Sequence, residues 1–153
     1  MESEAAPVGE LDGVWHLVSS ETIGPDGTRY PGHTYESLLL ISEGYYSMNW
    51  AFGPQKSDYF AKRFNPTDAE KLARYNALLV NAGRFELDGG VLTIHPKFAL
   101  VPEFVGGVGE FEYSLKGETL QLVWRKIESA DGIPDPNTRG GVRYVSRWQR
   151  VPE

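Results

Sequence analysis

His95, Tyr113 and Glu112 are the side chains of this 153-residue chain best suited to proton transfer. His95 lies in Leu92-Thr93-Ile94-His95-Pro96, on the face of Thr93 and opposite Ile94. An imidazole with an ordinary pKa near about 6.5 works as general acid or base if that face lines a cavity; if the face points out, His95 is a hydrogen-bonded surface residue. Tyr113 shares a face with Phe111, while Glu110 and Glu112 occupy the other. A phenol or carboxylate enclosed by apolar groups has a displaced pKa and becomes a catalytic candidate. Charges alternating with apolar residues equally describe the solvent side of a sheet. His16 alternates with Trp15, so an inward Trp15 turns His16 outward. His33, in the Pro31-Gly32-His33 loop, lines a mouth or is simply exposed.

Histidines at 16, 33 and 95 lack the close spacing of a local metal site, and there is no cysteine, so no metal and no cofactor is expected. The absence of cysteine also excludes disulfides and thiolate catalysis. No Gly-x-Ser-x-Gly, P-loop or dinucleotide fingerprint occurs, and the Gly106-Gly107-Val108-Gly109 cluster is flanked by strands rather than by a strand and a helix. A net charge of −6, with the two signs scattered, opposes a nucleic-acid partner. No segment approaches the roughly 20 apolar residues of a membrane span. The first ten residues are acidic and small, so they are read as a disordered lead-in, and the chain as written is expected in the cytoplasm. A homodimer is compatible with the sequence.

Four Trp, eight Tyr and seven Phe are many for this length, and they either fill a core or line a cavity. Tyr46, Met48 and Trp50 share one strand face and, with Phe111 and Arg125, are the candidate ligand contacts. Trp15, in Leu11-Asp12-Gly13-Val14-Trp15, needs burial over its rings and a partner for its N–H, as the plug of a barrel floor would have.

The elements that must position these residues are mostly short strands. Residues 14–21, 35–42, 45–50, 84–87, 91–98, 110–115, 119–126 and 142–150 alternate or run apolar, separated by Gly24-Pro25-Asp26-Gly27, Glu43-Gly44, Asp88-Gly89-Gly90 and Lys116-Gly117-Glu118. Residues 56–64 are a less distinct further strand. Thr67 followed by Glu70 is a capping box that opens a helix over residues 68–81, with Leu72, Tyr75 and Leu79 on one face. Residues 129–141 form the longest loop. Sequential hairpins favour a mainly β, single-domain, antiparallel up-and-down barrel of about 8–10 strands with one short helix, spanning residues 1–153.

The order of these motifs resembles the calycin superfamily, and more narrowly the small bacterial and fungal lipocalin-like domain proteins. The resemblance rests on Leu11-Asp12-Gly13-Val14-Trp15-His16-Leu17-Val18-Ser19, Gly44-Tyr45-Tyr46-Ser47-Met48, Gly83 to Gly89, Leu92 to His95 and Leu115 to Leu122, about 110 residues in all. It implies an arginine of the last strand packed across Trp15, for which Arg147 is the first candidate and Arg125 the second. It also implies a barrel that binds a small hydrophobic or aromatic molecule, or that acts on one as a cofactor-free isomerase, cyclase, hydratase or decarboxylase through His95, Tyr113 or Glu112. A haem of the kind some calycin barrels carry would have only His95 as a natural axial donor. A third reading is a barrel filled by its own aromatics that serves as an interaction module, and a cavity of at least about 300 Å³ separates the first two from it.

Overall fold

A computed structural model of the protein describes residues 8–54, 59–138 and 140–152. Alternating apolar residues build nine antiparallel strands: β1 (Gly13–Ile23), β2 (Arg29–Pro31), β3 (Leu38–Ser42), β4 (Tyr45–Ala51), β5 (Leu78–Asp88), β6 (Val91–Ala99), β7 (Val108–Lys116), β8 (Thr119–Glu128) and β9 (Arg143–Arg150). Each of β3 to β8 pairs with the next strand, β1 pairs with β3, and β1 also pairs with β9, which closes an eight-stranded barrel. The short β2 pairs with the far end of β1. A cylinder of this size has an interior just wide enough for side chains or one small ligand.

The turn residues decide which end is shut. Glu43 and Gly44 take φ of 51° and 81°, and Gly89 and Gly90 take 59° and 81°, so both hairpins have the doubly left-handed turns that match strand twist. These turns and the one at Gly117 lie at the same end of the barrel, while residues 24–37 and 100–107 and the described residues of the β4–β5 and β8–β9 connections lie at the other end. Short turns cannot spread, and long loops can surround an opening.

At the shut end Trp15 is fully buried, and its indole N–H donates to the Leu11 carbonyl at 2.9 Å. The expected lead-in is therefore ordered sooner than residue 10: Val8–Leu11 forms a 3₁₀ turn with Leu11 buried, and residues 1–7 lie outside the described residues. The arginine across the indole is Arg150, whose guanidinium carbon lies 4.5 Å from the ring centroid, not Arg147 or Arg125. Register is the reason. Trp15 is directly opposite Arg150, and strand alternation that sends Trp148 inward sends Arg147 outward, where it meets Gln121 at 3.1 Å and Glu21 at 3.2 Å. Arg125 is also on the outer surface, 3.5 Å from Glu112 and 3.8 Å from Glu110.

The helix α1 (Asp68–Asn76) begins as its sequence dictates, with the Thr67 hydroxyl accepting from the Glu70 N–H at 3.2 Å and Glu70 accepting from the Thr67 N–H at 2.8 Å. It stops five residues short of the expected end because Leu78 and Leu79 pair with Ala51 and Trp50 of β4. Leu79 is buried as a strand residue, whereas Leu72 and Tyr75 are exposed. The additional strand expected over residues 56–64 does not form in 59–64, and 55–58 lie outside the described residues.

Candidate functional site

The open end holds a cleft of about 1120 Å³. Its floor is aromatic. Trp50 meets Trp124 edge to face at 5.9 Å between centroids, Trp124 meets Tyr144 at 6.5 Å, and Phe111 and Trp148 support Trp124 and Trp50 at 5.2 and 5.6 Å. Such T-shaped contacts add roughly 0.5–1.5 kcal/mol each to the burial they accompany. They also stiffen the floor. Leu79, Phe104 and Ile127 contribute apolar wall, and His33, Tyr35 and the acidic residues of two loops stand around the mouth.

The path of β8 matters here. Phe111 is opposite Trp124, but Glu110 is opposite Lys126, so Arg125 is an extra residue in a bulge. A bulge shifts the alternation, which lets both Trp124 and Ile127 line the cleft while Arg125 stays outside. The Trp124 indole nitrogen is buried without a hydrogen-bond partner among the described residues.

Of the five candidate ligand contacts, Trp50 lines the cleft. Tyr46 and Met48 lie inside the barrel as core, and Phe111 is buried behind the floor. The Tyr46 hydroxyl donates to Asn81 Oδ1 at 2.5 Å, and burial pushes its phenol pKa far above the ordinary value. Arg125 points to solvent. None of the three proton-transfer candidates is in the cleft. His95 faces outward with Nε2 2.8 Å from Glu86 Oε1, because the inward positions of β6 are Leu92 and Ile94. Glu112 is on the outer face beside Arg125. Tyr113 packs against the core from a half-buried position, with its phenol pKa raised by burial and then by the charge of Glu10. That glutamate belongs to the 3₁₀ turn at the shut end.

Sequence reasoning missed Trp124, Tyr144 and Phe104 as lining residues. Tyr144 had a signal, since it shares a strand face with the buried Trp148. Trp124 follows Leu120 and Leu122 at the same spacing, but the bulge that carries the series on to Ile127 is not written in the alternation. Phe104 lies on a loop whose position depends on the rest of the barrel.

A plugged floor, continuous antiparallel closure and a cup at one end define a lipocalin-like, calycin-type β-barrel. The chain belongs to the family described as the lipocalin-like domain, whose profile matches residues 12–151. Comparison with curated proteins and with solved structures finds no match.

Proposed function

We propose that the protein binds one small, largely apolar or aromatic molecule in the cup. The observation that carries this reading is a cleft of about 1120 Å³ whose floor is Trp50, Trp124 and Tyr144. A barrel filled by its own side chains would leave no such space. Removing about 200 Å² of apolar ligand surface from water contributes about 5 kcal/mol, and a floor already rigid costs little to order.

The lipocalin-like fold supports small-molecule binding as a class, and the cytoplasm is the compartment that accompanies this reading. The cofactor-free enzyme reading required His95, Tyr113 or Glu112 at the substrate, and all three lie away from the cleft. Binding is therefore the reading retained.

Titration with the neutral fluorophore N-phenyl-1-naphthylamine tests it. The expected result is saturable binding at one site per chain, with quenching of tryptophan emission as Trp50 and Trp124 meet the ligand. Non-saturable partitioning, together with a bare mass for protein isolated under native conditions, would overturn the proposal.

A further inference from the structure

Among the described residues, the carboxylates at the mouth of the cup face no Lys or Arg within its lining. Glu21, Glu103, Asp131 and Asp135 are among its lining residues, and no described lining residue is Lys or Arg. Glu21 is neutralised by Arg29 at 2.6 Å and Arg147 at 3.2 Å. The other three carboxylates form no ion pair among the described residues. Asp131 accepts a hydrogen bond from the Ser129 hydroxyl and Asp135 accepts one from the Asn137 N–H at 2.9 Å, contacts that orient both groups without cancelling their charge.

These three carboxylates come from two loops that adjoin. A side chain added at Gly107 would strike the Glu128 carbonyl at 2.3 Å and the Glu103 carbonyl at 3.3 Å, so the β6–β7 loop is pressed against the end of β8. Glu103 and Asp131 are exposed at the mouth, so their charge biases the potential at the entrance of the cleft to negative, and the aromatic floor adds its own attraction for a cation. A ligand carboxylate meets repulsion there and finds no Lys or Arg among the described lining residues, whose basic side chain is the imidazole of His33.

We propose that the cup selects an apolar molecule carrying a protonated amine over the same molecule carrying a carboxylate, with the apolar body on the tryptophan floor and the amine toward Glu103, Asp131 and Asp135. The inference rests on the cup being the binding site. Its test is displacement of N-phenyl-1-naphthylamine by two compounds of one shape, 2-naphthylethylamine and 2-naphthylacetate. At low salt the amine is expected to compete at least about tenfold more strongly, a difference of about 1.4 kcal/mol, and the ratio should shrink as salt screens the carboxylates. The Glu103→Gln/Asp131→Asn/Asp135→Asn variant should bring the two competitors within about twofold of each other. Glu103→Gln alone should lower the ratio without disturbing the β8–β9 loop. Equal competition in the unaltered protein, or stronger competition by the acid, would overturn this inference and leave the cup standing. Failure of the neutral fluorophore to bind would overturn the cup and the inference together.

Discussion

The guanidinium carbon of Arg150 lies over the Trp15 indole, 4.5 Å from the ring centroid, and the two residues are direct partners across β1 and β9. The same guanidinium reaches both Glu118 carboxylate oxygens at 3.1 and 3.2 Å and the Glu10 carbonyl at 2.7 Å. One side chain thereby joins the plug, the last strand, the β7–β8 turn and the entering turn. Gly13 makes the space. It has φ of 146°, and a Cβ there would sit 3.4 Å from Arg150 Cγ and Nε. This is a physical reason for glycine two residues before the tryptophan.

Arg150→Ala should lower unfolding free energy by about 1–2 kcal/mol through lost stacking and stem packing. Arg147→Ala, which loses only partly exposed polar contacts, should cost under about 1 kcal/mol. Denaturant titration of both variants checks the order, and an Arg147 effect as large as that of Arg150 would refute the assignment.

Trp15→Ala should cost about 3–5 kcal/mol, as expected for truncating a large, fully buried ring. Gly13→Ala should cost about 1–3 kcal/mol, since it places a side chain in a left-handed conformation and crowds Arg150. Unchanged thermal stability in the Trp15 variant would contradict its role as plug.

Tyr46→Phe leaves the buried Asn81 amide oxygen without its donor and should cost about 1–3 kcal/mol near neutral pH. Burial raises the Tyr46 phenol pKa, so the folded chain holds this proton more tightly than the unfolded chain, whose tyrosine titrates at its ordinary value of 10.0. The corresponding stability is fully present below that value and declines as pH rises above it. The Phe variant lacks this decline. Stability measured at several pH values above about 10 should therefore fall less steeply for Tyr46→Phe than for the parent protein, and parallel curves would show that Tyr46 ionises freely in the fold.

His95→Ala, Glu112→Gln and Tyr113→Phe should each leave fluorophore affinity in the cup within about twofold, because none of these side chains lines it. The His95–Glu86 pair is exposed, so the His95 variant should also change stability by less than about 1 kcal/mol. A large loss of binding in any of the three would move the site away from the open end.

The hairpins were legible because their turns are chemically marked: Glu43-Gly44 and Gly89-Gly90 supply the positive φ values that tight connections require. The start of α1 was legible from Thr67 and Glu70, since a cap is made within three residues. Its end was not, because Leu78 and Leu79 satisfy either a helical stripe or a strand, and only β4 beside them selects the strand. Alternation put Trp50 on one face with Tyr46 and Met48 as candidate ligand contacts, and the structure brings Trp50 of that face to the cleft. His95 stayed open between cavity and surface on the same kind of evidence, since a period of two states which residues share a face but not which face is inside.

The sequence by itself determined the strand periodicity, the shut-end turns, the indole plug and the composition of an aromatic interior, all of which arise from interactions within a few residues along the chain. Tertiary structure alone decided that Arg150 covers Trp15, that the β8 bulge brings Trp124 and Ile127 to one cleft, and that carboxylates more than 25 residues apart, Glu103 and Asp131, share its mouth. Those outcomes depend on register and on closure of β1 against β9, which join segments that local alternation leaves independent.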